Sequence, residues 1–188
     1  TDSVNTPDIS YTDAPTGVYD LDRTHAYIVF NYVHQGFSKP LLRWRDWDSS
    51  LDWDAENPEN SSVNVTISTA SIDTGVDVFD GHLKDERWLN IATFPEATFV
   101  STSIDKLSDG HGKMTGDLTL KGITKSVTLD VNFNKAAEGR EPGAYKIGFS
   151  ATGKLNRSDY DLGAYVPVVS DEVDLIIEVE YGMKVTAE

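Results

Sequence analysis

The segment 116–133 contains two runs of alternating apolar and polar residues that meet at Gly122. Leu118 and Leu120 alternate with polar residues before the glycine, and the same alternation resumes at Val127 after it. A period of two places apolar side chains on one face of a strand and polar side chains on the other. Glycine readily adopts the dihedral angles of a tight turn. The segment therefore predicts an antiparallel hairpin with one buried face.

The same period recurs along most of the chain. Strands are predicted, in chain order, at 18–22, 25–34, 63–72, 97–104, 113–121, 127–134, 145–155 and 173–179. About eight strands at hairpin spacing favour a closed antiparallel barrel over an open sheet. Closure also removes the exposed strand edges that an open sheet would leave.

One segment departs from this period. Val78, Phe79 and Leu83 lie at helical spacing, with charged residues between them, and Pro95 closes the segment. The sequence therefore predicts an all-β fold, an eight-stranded antiparallel barrel, with one helical insertion near 76–91.

Composition excludes several classes of protein. Sixteen basic and 31 acidic residues give a net charge of −15, which repels the phosphates of nucleic acids. The chain has no cysteine, so thiol chemistry and thiolate metal sites are excluded. No run of about 18 apolar residues is present, as a membrane-spanning helix would need. We expect a soluble globular protein that is not an integral membrane protein.

The polar composition of the N-terminus suggests a domain boundary. Residues 1–16 contain Pro7, Pro15 and several hydroxyl and acidic residues, which predicts a tail or linker. One domain is predicted over 17–182, followed by a C-terminal tail at 183–188. A linker of this kind is consistent with attachment to further domains of a larger secreted protein.

A series of short motifs gives the chain a family resemblance over roughly residues 18–181. The motifs, in order, are Tyr19-Asp20-Leu21-Asp22, Thr24-His25, Phe30 with His34, Ser71-Ile72-Asp73-Thr74, His82-Leu83, Trp88-Leu89, Phe94-Pro95-Glu96-Ala97-Thr98-Phe99, Gly116-Asp117-Leu118-Thr119-Leu120-Lys121-Gly122-Ile123-Thr124-Lys125, and Asn156-Arg157-Ser158-Asp159-Tyr160. In this order they make the chain resemble the YceI-like family of secreted proteins.

The resemblance implies an extended lipocalin-like barrel that is exported by bacteria, to the periplasm or the exterior. It also implies a long polyisoprenoid in the bore, either a polyprenyl compound or an isoprenoid quinone, which the protein carries or sequesters. Two departures bear on the mouth of such a barrel. Asp161 adds an acidic residue to the segment 160–163, and the segment 43–53 is rich in tryptophan.

The shape of the ligand agrees with the predicted barrel, because a bore of eight strands admits only side chains or one slim ligand. Burial of its tail would drive binding, at about 0.8 kcal/mol per CH₂ before entropy costs. We expect segments 36–41 and 76–95 to cover one mouth. The side chains expected to line the bore and bind the ligand are Ile28, Phe30, Tyr32, His34, Trp44, Trp47, Trp53, Phe79, Leu83, Trp88, Phe99, Leu118 and Phe149.

The head group is predicted from charge. A pyrophosphate would require a cluster of arginine or lysine side chains. The chain has only six arginines, and acidic neighbours such as Asp46, Asp85 and Asp159 offset several of them. We therefore expect a neutral head, such as a ubiquinone ring, in preference to a polyprenyl phosphate.

Two other functions stay open at this point. Trp44, Trp47, Trp53 and Trp88 would suit a carbohydrate-binding module of a secreted enzyme, although core or cavity packing is the simpler interpretation. Homodimerisation also stays open.

The histidines raise the second alternative. His25, His34 and His82 fall in family motifs and would suit a metal-dependent enzyme if they met in space. A structural role is the simpler interpretation, and His111 is expected to be a solvated turn residue. We therefore predict neither catalytic residues nor a bound metal.

Overall fold

The computed structural model describes residues 9–186. Within this range the strands are β1 Gly17–Asn31, β2 Leu41–Trp44, β3 Trp47–Trp53, β4 Ser62–Ser68, β5 Ile72–Asp73, β6 Glu96–Ile104, β7 His111–Leu120, β8 Ile123–Glu138, β9 Ala144–Asn156 and β10 Glu172–Lys184. The α-helix of this range is α1 Asp77–Lys84, and short 3-10 helices cover Tyr11–Asp13, Pro58–Asn60, Thr69–Ser71 and Arg157–Tyr160. No helix of the described range is long and apolar enough to cross a bilayer.

Eight antiparallel strands close into a barrel. Their order is β1-β3-β4-β6-β7-β8-β9-β10, and pairing of β10 with β1 closes the ring. β2 and β5 pair with each other, and β2 also pairs with the second half of β1. The predicted closed barrel of about eight strands is confirmed. We call the end that carries 32–40, 74–95 and 157–171 the upper end, and the opposite end the lower end.

A tight turn sets the register of β7 and β8. Lys121 and Gly122 have φ angles of 51° and 74°, and they join β7 to β8 with Leu120 opposite Ile123. Positive φ at both central residues is the hairpin turn whose twist matches that of the strands it connects. The hairpin predicted around Gly122 is therefore present.

The helix predicted near 76–91 is present but shorter. Its regular part ends at Lys84, and the chain continues in turns. The Asp85 carboxylate accepts a hydrogen bond of 2.9 Å from the Arg87 backbone N–H, a local bond that competes with the helical pattern. Asn90 then adopts a positive φ of 47°, which a helix does not contain.

Strand limits differ from the prediction at several places. The strand predicted at 63–72 is divided, because a 3-10 helix at Thr69–Ser71 separates β4 from β5. The strands predicted at 18–22 and 25–34 form one strand, β1, with an irregular register between Leu21 and Ala26. β10 continues to Lys184, opposite Ala144 of β9, so it includes two residues of the predicted C-terminal tail. The limits of a strand depend on its backbone pairing with a neighbouring strand. The side-chain pattern of the sequence does not show this pairing.

The described part of the predicted N-terminal tail packs on the barrel. Residues 1–8 lie outside the described residues. Tyr11 lies edge-on to Phe133, with ring centroids 4.9 Å apart, and its hydroxyl accepts a 3.1 Å hydrogen bond from the Gly110 N–H. Ala14 is fully buried. Residues 9–16 thus cover part of the lower end, in contrast to the prediction that this segment has nothing to bury.

Candidate functional site

A cavity of about 1060 Å³ occupies the barrel interior. This volume lies at the upper end of the range for small-molecule sites, roughly 300–1,000 Å³. β10 shows how the sequence produces the lining, because every second residue faces the cavity: Val173, Leu175, Ile177, Val179 and Tyr181. Strand alternation thus builds an apolar interior from the barrel strands.

All the side chains expected in the bore line this cavity. They are Ile28, Phe30, Tyr32, His34, Trp44, Trp47, Trp53, Phe79, Leu83, Trp88, Phe99, Leu118 and Phe149. Their contact with a ligand stays a prediction. The sequence analysis missed other lining residues, such as Leu42, Ile72 and Tyr165. Leu42 belongs to β2, whose alternation is too brief to be recognised. Ile72 ends the strand predicted at 63–72, but it belongs to the separate strand β5.

Aromatic side chains form a cluster toward the lower end of the cavity. We call Trp53, Phe133, Phe149 and Tyr181 the aromatic floor. Trp53 stacks on Phe133, with centroids 5.9 Å apart and planes at 10°. Phe149 packs edge-on against Phe133 at 5.8 Å and against Tyr181 at 6.3 Å. Tyr11 closes the cluster from outside, so the N-terminal segment supports the floor.

One buried polar pair lies beside the floor. The Tyr181 hydroxyl and Ser49 Oγ lie 2.8 Å apart and form a hydrogen bond. Burial raises the pKa of Tyr181 to about 12, so its hydroxyl is protonated at neutral pH. The pair satisfies two polar groups that would otherwise be costly inside an apolar cavity.

The upper mouth is formed by α1 and two loops. Phe79 and Leu83 of α1 line the cavity, as does Trp88 in the turns that follow. Tyr165, from the connection between β9 and β10, stacks on Trp88 with centroids 6.1 Å apart. His34 lines the mouth from the loop after β1. Tyr165 lies in a long irregular connection. The sequence there has neither strand alternation nor helical spacing, so it does not predict which way the Tyr165 side chain points.

Arg157 fixes the connection between β9 and β10. Its guanidinium donates to the carbonyl oxygens of Ala164 at 3.1 Å, Val169 at 2.9 Å and Ser170 at 2.9 Å, and also to that of Leu162. Burial lowers the pKa of Arg157 from its ordinary value. Because these carbonyls use four of its five N–H donors, Arg157 orders the loop and keeps little hydrogen-bonding capacity for an anionic head group.

Asp161, one of the two departures from the family pattern, lies beside this loop. Its carboxylate lies 3.2 Å from the Lys121 ammonium, which also donates to its backbone carbonyl at 3.0 Å. The Asp161 side chain is exposed and does not line the cavity. It therefore ties the loop to the β7–β8 turn and affects the mouth only indirectly.

The histidines do not come together. His34 and His82 line the cavity, whereas His25 is on the outer surface with its Nδ1 3.0 Å from Asp22. Hydrogen bonds from Thr24 and His25 lower the pKa of Asp22. Among residues 9–186, no group of three or more His, Cys, Asp or Glu side chains is placed to hold a metal. The three-histidine site considered above is therefore not formed.

His111 lies where the sequence predicts, beside the Asp109-Gly110 turn. It is exposed, and its Nδ1 is hydrogen-bonded to Asn132.

All four tryptophans face the cavity. Trp47 and Trp53 are 6% and 2% exposed, so they cannot form an outer platform for sugars. Trp44 packs on Phe30 with centroids 5.6 Å apart, and Trp88 packs on Tyr165. The tryptophan-rich segment thus builds the cavity wall.

Comparisons with known proteins agree with this architecture. The model of the YceI-like domain matches residues 19–181. Protein YceI of Escherichia coli O6:H1 is 41% identical over 162 residues, which cover 86% of this chain and 83% of that protein. A crystal structure of a Campylobacter jejuni YCEI protein superposes with a TM-score of 0.75 at 33% identity, over 81% of this chain and 90% of that chain.

A more distant structure shares the fold. It is a polyisoprenoid binding domain from Saccharophagus degradans, implicated in plant cell wall breakdown, with a TM-score of 0.64 and 18% identity over 87% of this chain and 97% of that chain. The family match over residues 19–181 and the identity to the Escherichia coli protein confirm the resemblance seen in the motifs. The chain belongs to the YceI-like family.

Proposed function

We propose that this protein binds a long-chain polyisoprenoid with a neutral head group, of the ubiquinone class, in the barrel cavity. The observation that carries the proposal is an apolar cavity of about 1060 Å³ inside the barrel. The shared fold of the Saccharophagus degradans polyisoprenoid binding domain supports the same ligand class.

The cavity suits the tail of such a ligand. A slim isoprenoid chain can follow the barrel axis, where side chains from opposite strands contact it on all sides. Each buried CH₂ contributes about 0.8 kcal/mol, so the tail supplies the affinity and polar groups at the mouth supply the specificity. No covalent chemistry is required, and we propose a binding protein that carries or sequesters the lipid and is not an enzyme.

The distribution of cations favours a neutral head. The basic residues that line the cavity in the described range, apart from histidine, are Arg87, Lys113 and Arg157. Arg157 already donates to loop carbonyls, whereas Arg87 is exposed near the upper end and Lys113 is exposed near the lower end. They form no cluster for a phosphate. Tyr32, whose pKa is raised by burial, keeps a hydroxyl that can donate to a quinone carbonyl.

The location of the protein is also part of the proposal. Export to the periplasm or the cell exterior is the location that the family resemblance implies, and a carrier there would hold an insoluble lipid in an aqueous compartment. Fractionation of the native host cells with an antibody to this chain tests the location. Detection only in the cytoplasmic fraction would contradict it.

The ligand itself can be identified directly. Purified protein is analysed by native mass spectrometry, and its organic extract by ultraviolet absorption. We expect a co-purifying mass equal to a polyprenyl quinone, together with quinone absorbance. Protein that lacks such a ligand and also fails to take up added ubiquinone would contradict the proposal. Uptake of a polyprenyl phosphate in preference to ubiquinone would contradict the neutral head.

A pair of neighbouring substitutions tests the location of the ligand. Ala151 of β9 is buried and lines the cavity, whereas the next residue, Thr152, is exposed on the outer face. Ala151→Phe should fill the bore and reduce ubiquinone uptake about tenfold or more, and Thr152→Phe should leave uptake unchanged. Circular dichroism checks that both variants fold. Wild-type uptake by a folded Ala151→Phe variant would rule out this cavity as the site.

A further inference from the structure

Exposed apolar side chains surround the upper mouth of the barrel. Their exposed fractions run from 40% for Val166 to 85% for Phe37. We call this set the upper rim, and its members are Phe37, Leu41, Val76, Val78, Tyr165, Val166 and Val168. Exposed apolar groups that cluster in this way mark surfaces that contact a protein or a lipid.

Backbone contacts hold the segments of the upper rim together. The Gln35 N–H donates to the Val168 carbonyl at 3.0 Å, and the Ser170 N–H donates to the Val33 carbonyl at 3.0 Å. The stack of Tyr165 on Trp88 joins the same loop to the turns after α1. The rim therefore has a defined arrangement around the mouth.

The upper rim is continuous with the cavity. Val76 and Tyr165 are more than half exposed and also line the cavity. An isoprenoid that entered between them would move from one apolar surface to another.

Charge distinguishes the rim loops from the rest of the molecule. Residues 32–45 and 162–170 contain Lys39, Arg43 and Arg45 and no acidic residue, in a chain whose net charge is −15. Arg43 pairs with Asp73 at 3.0 Å, and the exposed carboxylates near α1 at the upper end include Asp77, Asp85 and Glu86. The rim loops themselves therefore place no carboxylate against lipid phosphates, while the net charge of −15 disfavours an anionic bilayer.

We propose that the upper rim docks on a lipid bilayer with zwitterionic head groups and places the cavity mouth against the membrane. Phe37 and Tyr165 suit the boundary between acyl chains and head groups, where aromatic side chains are favoured. The shallow insertion of a few apolar side chains gives reversible binding. Docking of this kind requires no ligand in the cavity, so it can be tested separately from isoprenoid binding.

Vesicle flotation tests the proposal. The full chain is mixed with phosphatidylcholine–phosphatidylethanolamine vesicles that contain no isoprenoid, and the floated fraction is measured. We expect wild-type protein to float with the vesicles and the Phe37→Ser/Val168→Ser variant to bind about tenfold more weakly. The matched control is Tyr27→Ser/Val18→Ser, which removes one aromatic and one aliphatic side chain, each at least half exposed, from the barrel wall. The control should float as the wild type does.

Several outcomes would overturn the docking proposal. It is wrong if wild-type protein does not float, or if the rim variant and the wall variant float equally well. Sedimentation of both proteins then tests the other occupant. If wild-type protein does not float but self-associates, and the rim variant does not self-associate, the rim is an interface with a second copy of the chain. Ubiquinone uptake from detergent micelles is measured in parallel for both variants. Normal uptake with failed flotation would reject docking and leave the proposed function intact.

Discussion

Ser49 Oγ and the Tyr181 hydroxyl lie 2.8 Å apart inside the barrel and join the two strands that flank the lower half of β1. This bond places a polar link across the closure of the barrel, beside the aromatic floor. Its surroundings are apolar, so each hydroxyl depends on the other for a partner.

Tyr181→Phe should destabilise the fold by about 1–2 kcal/mol, because it leaves the Ser49 hydroxyl without its partner. Urea unfolding at neutral pH measures the change. Tyr27→Phe on the exposed wall is the control and should have an effect within about 0.5 kcal/mol of zero. An equal effect of the two substitutions would show that the buried bond contributes nothing to stability.

The stability of the protein should fall at high pH. Tyr181 has a pKa of about 12 in the folded protein and about 10 in the unfolded chain. Above pH 10 the unfolded chain loses this proton while the folded protein keeps it, so the free energy of unfolding falls by up to about 1.4 kcal/mol per pH unit. The contribution of Tyr181 is complete below pH 10 and is lost as the pH rises toward 12.

Urea unfolding between about pH 9 and about pH 11 measures this loss. In Tyr181→Phe, the free energy of unfolding should fall less steeply with pH, by the contribution of one proton. The decline that remains includes the contribution of Tyr19, whose pKa burial also raises to about 12. An identical decline in wild type and variant would refute the assignment to Tyr181.

Gly116→Ala should destabilise the barrel and narrow the cavity. A Cβ at this position would lie 2.3 Å from Phe99 Cζ and 2.7 Å from the Val100 carbonyl oxygen. Both contacts are too short, so the Phe99 ring and the backbone of β6 must shift, and we expect a loss of about 1–3 kcal/mol. Thermal and urea unfolding measure it. Gly148→Ala is the control, since its Cβ would meet nothing closer than 3.9 Å. Comparable losses for both variants would argue against the contact with Phe99.

Arg157→Lys should loosen the loop at the upper mouth. A lysine lacks the planar fork that reaches several carbonyl oxygens at once, so the loop 162–170 loses part of its support. We expect amide hydrogen exchange in 162–170 to accelerate about tenfold or more, with a loss of about 1–3 kcal/mol in global stability. Arg140→Lys, in the exposed β8–β9 loop, is the control. Unchanged exchange in the loop would mean that other contacts hold it.

The sequence predicted the cavity-lining residues of the strands but not those of the loops at the upper mouth. Every lining residue named from alternation, such as Phe30 and Phe149, faces the cavity, because closure leaves only one interior for the apolar face. The sequence analysis did not assign Tyr165 or Arg157 a place at the mouth. Arg157 begins the short 3-10 helix after β9, and Tyr165 lies in the irregular segment that follows. Neither segment has an alternation that predicts the direction of a side chain.

By itself, the sequence determined the features that follow from local pattern. Alternation and turn residues such as Gly122 specified antiparallel hairpins and a closed barrel, helical spacing specified one helix, and the order of motifs specified the family. These signals act over a few residues, so they can be read without knowing what lies opposite.

Only the tertiary structure decided which distant groups meet. It placed Tyr11 beneath the aromatic floor, kept His25 outside the barrel and away from His34, and used Arg157 to order a loop. Each outcome depends on barrel closure, which brings residues more than 100 positions apart into contact, as Tyr11 and Phe133 show. Three-dimensional packing determines such contacts, and the local sequence pattern does not predict them.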